Sequence, residues 1–306
     1  MASVYQIITD RIIESLNKGT IPWVNPYVGR PHQNLVSKHV YVGINALLLN
    51  MFALEQKYSS PFWLTYNQAK QKNYKIKKGA KSAIVTFWKS YSSTNHTNQD
   101  IEEVTIGEEN TENTMDKQKT GFVLRYYKVF NLDEVEGCDV KVETVETDST
   151  DHVVSSDNTT LLDNYCKNQH IVVKNSINGV SSYAPATDVI TLAPVKADFF
   201  LPVFAHECVH STGNTKRLNR FGSELFVEKS EYSFEELIAE IGSAMLCSQM
   251  GVEFSLENST SYISGWAEFL REDKKTAIVR ASSQAQKAVE FILKSAAVQQ
   301  KVAENV

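Results

Sequence analysis

The sequence predicts a two-domain α+β protein, and three observations carry that expectation. Its 306 residues are long for one compact domain and natural for two. Hydropathy periodicity opens with short helices and two longer strands, then turns to short strands followed by long helices. Charge is segregated as well. The net charge of −5 conceals +9 over residues 1–91, −11 over 92–160 and −3 over 161–306. The expected division is therefore a first domain at 1–135, an acidic linker at 136–160 and a second domain at 161–306. Hydrophobic residues make up 42% of the chain, enough to build cores and to exclude global disorder.

The elements follow in order. Val4, Ile7, Ile8, Ile12 and Leu16 recur at helical spacing, and Gly19 and Pro22 end that helix. Ile44 to Ala53 reads as an apolar helix, and Leu64 to Gln71 as a third, capped by Thr65. Ser82 to Lys89 has strand composition, with Gly121 to Phe130 as its partner. Between them, Ser92 to Lys119 is rich in Asn, Thr, Glu and Asp and is expected to be a mobile hairpin insertion. Beyond the acidic linker come a helix near Leu161–Asn168, a strand at Ile171–Val173 and a hairpin over Tyr183–Leu192 with its turn near Pro185–Asp188. Helices are expected at Asp198–Thr212, at Ser233–Met250 and, with a break, over Ile263–Leu293.

Some classes are excluded at once. The most apolar stretch, Ile44 to Leu54, is too short to span a bilayer and contains Asn50. Asp10, Arg11 and Glu14 interrupt the apolar start, so no signal peptide is expected. Four scattered cysteines without a CxxC pair do not make a disulfide framework or a cysteine-type zinc site. The expectation is a reducing cytoplasm with free thiols and no membrane partner.

The sharpest motif is His206-Glu207-Cys208-Val209-His210. On a helix, residues i and i+4 share a face, so both imidazoles reach one metal ion, and Glu207 lies beside it as a base. Catalytic zinc takes three protein ligands and leaves a position for water. No histidine follows His210, so the third ligand must be a carboxylate. Glu236 and Glu240, four apart on an otherwise apolar helix, are the candidates. Ser233-x-x-Glu236 also reads as a capping box, which would turn Glu236 toward the backbone. The spacing resembles the ExxAD-type helix of gluzincin metallopeptidases, and that likeness implies Glu236 as ligand and Glu240 as the partner orienting a ligand histidine. The implied chemistry is metal-assisted hydrolysis, with Zn2+ or another divalent ion such as Mn2+. Tyr183 and Tyr232 are the oxyanion candidates.

The first 91 residues mix positive charge with aromatics. Lysines follow a phosphate backbone and flat rings stack on unpaired bases, which suits single-stranded DNA. The candidate DNA-contacting set is Trp23, Tyr41, Asn45, Trp63, Lys75, Lys77, Lys78, Lys81, Trp88 and Lys89. The competing reading makes the tryptophans the core of a small domain.

Taken together, the motifs resemble the ArdC-type antirestriction proteins of conjugative plasmids and related mobile elements. The likeness rests on Tyr41-Val42-Gly43-Ile44-Asn45, Trp63 to Ala69, the lysine–glycine turn and Phe87-Trp88 in the first half. In the second half it rests on Tyr183, Asp188-Val189-Ile190, the HExxH, Arg217-Leu218-Asn219-Arg220 and Glu235 to Glu240. It implies an amino-terminal single-stranded-DNA-binding domain and a carboxy-terminal zincin-like (gluzincin-type) metallopeptidase domain. It further implies protection of incoming DNA from host restriction and a DNA-bound or host protein as substrate. Two departures from the family pattern are the longer, more acidic Tyr91–Gly121 and Leu192-Ala193-Pro194. The alternative function is a non-catalytic DNA-binding shield whose metal serves the fold. A primase accessory role is disfavoured, because no acidic polymerase motif sits beside the basic half.

Overall fold

In the computed structural model of the chain, residues 3–92, 120–138, 156–221, 229–254, 259–272 and 276–297 are described. Helix α1 spans Val4–Asn17. The Ser3 side chain caps it by accepting from the Gln6 N–H, and Ile8, Ile12 and Leu16 form one buried stripe. After β1 (Gln33–Asn34), Gly43 opens α2 (Ile44–Gln56). Its φ of 56° with ψ of −134° lies where a side chain is not tolerated, which fixes glycine at this entry. Strand β2 (Phe62–Leu64) leads into α3 (Tyr66–Gln71), held by a Thr65–Gln68 capping box. Leu64, expected at the helix start, is a buried strand residue instead.

Strand β3 (Lys75–Ile76) pairs with the late β6 (Val135–Glu136). Between them β4 (Ala83–Ser92) and β5 (Thr120–Asn131) form a long antiparallel ribbon, with Ala83 opposite Val129 and Ser92 opposite Thr120. The main sheet has the order β1-β2-β5-β4. The expected hairpin insertion falls at 93–119 and most of the expected linker at 139–155, both outside the described residues.

The second half begins with α4 (Ser156–Asn168). Strands β7 (Val172–Asn175), β8 (Ser182–Ala184) and β9 (Val189–Leu192) form a sheet in the order β7-β9-β8, with β8 as an antiparallel edge. The expected turn separates β8 from β9, and Asp188 within it adopts a left-handed φ of 56°. Four helices follow: α5 (Ala197–Thr212), α6 (Lys229–Gln249), α7 (Ser259–Glu272) and α8 (Ala277–Ala296). The break expected within 263–293 lies between α7 and α8.

The largest buried cluster runs across both halves. It joins Ile8 and Ile12 of α1, Leu48 of α2 and Ile84 of β4 to Phe204 of α5, Ile241 of α6 and Ile278 of α8. A second, smaller cluster around Tyr41, Trp63 and Val85 belongs to the main sheet. No described helix is long and apolar enough to cross a membrane.

Candidate metal centre

The close approach of α5 and α6 builds the site. A Cβ at Gly242 of α6 would come 2.9 Å from Cγ1 of Val209 on α5, so glycine lets the two helices touch beside the HExxH. Nearly two turns earlier on α6, Glu236 meets both histidines of α5. Its Oε2 lies 3.4 Å from His206 Nε2 and its Oε1 lies 3.4 Å from His210 Nε2. The two Nε2 atoms are 3.1 Å apart. One ligand atom from each of the three residues falls within 4.8 Å of the others. Two imidazole nitrogens and one carboxylate match the donor set of a catalytic zinc site. His206 and Glu236 keep 22% and 23% of their side-chain surface exposed, so the cluster opens to solvent. Glu236 therefore faces the histidines rather than turning back as a helix cap.

The far side of each imidazole also meets a carboxylate. Glu240 Oε2 is 3.5 Å from His206 Nδ1, and Glu235 Oε1 is 3.4 Å from His210 Nδ1. Such partners hold the proton at Nδ1 and aim the Nε2 lone pair at a common point. Glu240 therefore lies behind His206, outside the His206–His210–Glu236 cluster. Glu235 is tied down in turn by Arg220, whose NH2 and Nε donate at 2.6 and 3.0 Å, while its NH1 donates to Thr212 Oγ1. The Glu235–Arg220 pair escaped the sequence reading. The available signal was an arginine one short segment after the HExxH and an acid immediately before Glu236.

The electrostatics follow from this wrapping. Burial would push the His206 pKa down, but Glu236 and Glu240 outweigh it and raise it to about 10. Burial likewise opposes charge on His210, yet Glu235 and Glu236 raise its pKa too. Burial would raise Glu236, but the two histidines hold it far below the usual carboxylate range. Burial would also raise Glu235, and Arg220 and His210 bring it down. Glu207 is different. It is 6% exposed, burial raises its pKa, and its Oε2 has no hydrogen-bond partner among the described residues. The Tyr183 backbone N–H bonds to the same carboxyl group.

Tyr183 is not free to bind an oxyanion. Its hydroxyl donates to Asp188 Oδ1 at 2.8 Å and accepts from Arg217 NH2 and Asn214 Nδ2 at 2.9 and 2.8 Å. Arg217 also closes an ion pair with Asp188. The hydroxyl is consumed in locking the β8–β9 turn to the end of α5, and burial, reinforced by Asp188, raises its pKa to about 12. Tyr232, the other candidate, lies in α6 with its side chain outside the described residues.

The amino-terminal candidates divide sharply. Trp23, Tyr41 and Trp63 are only 2%, 2% and 0% exposed, so no ring face is open to a base; they are core residues, contrary to expectation. Asn45 is also structural. Its Oδ1 accepts from the Thr86 N–H at 2.7 Å and its Nδ2 donates to the Thr86 carbonyl at 2.9 Å, so it satisfies the outer edge of β4. Trp88 is 43% exposed, and Lys75, Lys77, Lys78, Lys81 and Lys89 are all exposed. Lys77 donates to the Asp133 carbonyl at 2.6 Å. The sequence reading missed Phe87, Tyr126 and Tyr127, exposed on the ribbon at 43%, 43% and 37%.

A two-histidine, one-glutamate cluster on a pair of helices beside an edge strand defines a zincin-like domain, here joined to a smaller amino-terminal α+β domain. The family models agree: the N-terminal domain of anti-restriction factor ArdC matches residues 2–130, and a zincin-like metallopeptidase matches residues 161–284. The chain belongs to the ArdC family of antirestriction proteins. The crystal structure of antirestriction protein ArdC from plasmid R388 in its Mn(II)-bound form is 30% identical, with a TM-score of 0.74, covering 97% of this chain and 99% of that one. Its metal-free form gives 29% and 0.74, covering 97% and 98%. DNA primase TraC of Escherichia coli is 27% identical over an alignment of 308 positions that covers 94% of this chain and 27% of the primase, so the chain spans about a quarter of that relative. Protein y4eC of Sinorhizobium fredii (strain NBRC 101917 / NGR234) is 26% identical over 301 residues, covering 94% of this chain and 91% of that protein.

Proposed function

We propose that this protein guards the DNA of a mobile element in the host cytoplasm by acting on nucleoprotein. Its first domain, about residues 1–135, holds single-stranded DNA. Its second, 161–306, hydrolyses a peptide bond in a DNA-associated protein. The observation that carries the reading is the His206–His210–Glu236 cluster with Glu207 beside it.

A divalent cation fits this donor set. Both Nε2 atoms and both Glu236 oxygens converge, and both Nδ1 atoms are anchored behind them. His206, His210 and Glu236 would hold the ion, zinc or manganese by ligand type. When bound, such an ion polarises a carbonyl and lowers the pKa of a water. The chain supplies the rest. Glu207 Oε2, buried and without a partner among the described residues, accepts a proton from the attacking water and returns it to the departing amine. Burial keeps its pKa raised, which suits a group that must both take and give a proton. The free edge of β8 faces this carboxyl, since the Tyr183 N–H reaches it, and an extended peptide can add as a further strand there. Glu235, Glu240 and Arg220 keep the imidazoles aimed.

The test is Glu207→Gln, assayed for cleavage of DNA-bound protein and for protection of incoming DNA. Loss of both with metal content retained supports the hydrolytic reading. Retained protection, with metal removal lowering only thermal stability, would replace it with a non-catalytic shield.

A further inference from the structure

We infer that one face of the β4–β5 ribbon, carrying Phe87, Tyr127, Arg125 and Lys89, is the platform on which unpaired bases of single-stranded DNA stack. The inference rests on the DNA-binding half of the function proposed above and names its contact surface.

The ribbon is built to project. β4 and β5 pair over ten positions, but β2 accompanies β5 only at Phe130 and Asn131. Beyond that point β5 has no further strand beside it among the described residues. Pairing sets Val85 opposite Tyr127, Phe87 opposite Arg125 and Lys89 opposite Val123. Side chains alternate across a strand, so Phe87, Tyr127, Arg125 and Lys89 share one face. The root of that face is closed, with Val85 and Val129 fully buried. The outer part is open, with Phe87 43% and Tyr127 37% exposed.

Two half-exposed rings side by side need a reason, because leaving aromatic surface in water forgoes its burial. Their centroids are 5.8 Å apart and their planes tilted by 58°, so they are not stacked on each other. Burial raises the pKa of the Tyr41 hydroxyl, and nearby Tyr127 adds to the rise, while Tyr41 itself accepts from Asn34 Nδ2 at 3.2 Å. The cations decide the partner's chemistry. Arg125 and Lys89 are exposed on the same face, and neither joins an ion pair among the described residues. Planar apolar groups flanked by unpaired positive charge complement a chain of phosphates bearing free bases. Duplex DNA hides its base faces and does not fit. The opposite face, with Ile84 and Leu124, is docked into the main core at 4% and 5% exposure, leaving Trp88 and Tyr126 as its rim.

The experiment measures binding of the full chain to labelled oligothymidylate and to an abasic oligonucleotide of equal length. Wild type should prefer the strand with bases. Phe87→Ala and Tyr127→Ala should each weaken oligothymidylate binding about 5- to 150-fold, the range of one stacked base, and leave abasic binding nearly unchanged. Phe87→Trp should restore the preference, which separates lost stacking from lost folding. Equal wild-type binding to both strands, unchanged preference in the alanine variants, or an equal loss in Tyr126→Ala would each overturn the platform. Absence of any oligonucleotide binding by wild type is a separate result: it removes the DNA-binding reading itself.

Discussion

His32 is deep inside the protein and His206 lies in a partly open cluster, and their surroundings drive them in opposite directions. His32 sits among neutral partners. Trp63 Nε1 donates to its Nδ1 at 2.8 Å, and its Nε2 donates to Asn50 Oδ1 at 2.9 Å. Burial holds its pKa down to about 3, against the small opposing pull of Asn50. His206 is ringed by carboxylates and pushed up to about 10. Burial penalises charge at both sites, so the partners decide whether a histidine stays neutral or gains a positive charge. The sheet domain uses an imidazole as a neutral hydrogen-bond bridge. The helical domain concentrates negative charge around two imidazoles, an arrangement that a bound cation compensates.

The largest effect expected from this contrast is acid sensitivity of the sheet domain. The folded pKa of His32 lies below its unfolded value of about 6.5, so the unfolded chain binds the proton first. The stabilisation is complete above about pH 6.5 and is lost as the pH falls toward about 3. Between pH 7 and pH 4 this single group should cost about 3 kcal/mol. The comparison is with His32→Gln, whose side chain can still accept from Trp63 and donate to Asn50 but does not titrate. Urea unfolding of both chains at both pH values reads the difference. Parallel pH dependences would mean that His32 is not held neutral.

The second effect lies at the other histidines. Glu240→Gln removes the charge behind His206 without removing a ligand. Metal affinity should fall about 10- to 100-fold, as for other outer partners of ligand histidines. A competition titration against a chelator measures it at fixed pH. Stability of the metal-free chain should not fall in step, because Glu240 Oε1 is already buried without a partner among the described residues. Unchanged metal affinity would show that Glu240 does not orient His206.

Much of the helical site was legible in the sequence because helix periodicity alone brings it together. His206 and His210 are one turn apart, as are Glu236 and Glu240, and two helices meeting along those faces need only one close approach, at Gly242. The sheet domain was far less legible. Residue type marks Trp23, Tyr41 and Trp63 as flat and aromatic, but only the neighbours decide whether such rings meet a base or a core. A cue did exist, since Phe62-Trp63-Leu64 is a continuous apolar run, the pattern of a strand covered on both faces. Asn45 and Tyr183 failed for a related reason. Their polar groups are spent on Thr86 and on Asp188, Asn214 and Arg217, of which all but Asp188 are distant in sequence and fixed only by the tertiary fold. Phe87 and Tyr127 became visible as a pair only once the ribbon's register was known.

The smallest effect probes why His32 stays neutral. Burial is the leading cause, but Trp63 contributes a constraint of its own. Its N–H points at His32 Nδ1, the nitrogen that would have to take the second proton, and two donors cannot share that bond. Trp63→Phe keeps an aromatic ring in the pocket and removes the donor. At pH 7 the variant should be less stable by about 1–3 kcal/mol, because Nδ1 is left buried and unpaired. Its further loss on acidification should be shallower than that of wild type by about 1 kcal/mol, since protonated Nδ1 no longer confronts another donor. Unfolding curves at pH 7 and pH 4 give both quantities. A lower stability with an unchanged pH slope would assign the depressed pKa to burial alone and reduce Trp63 to a packing residue.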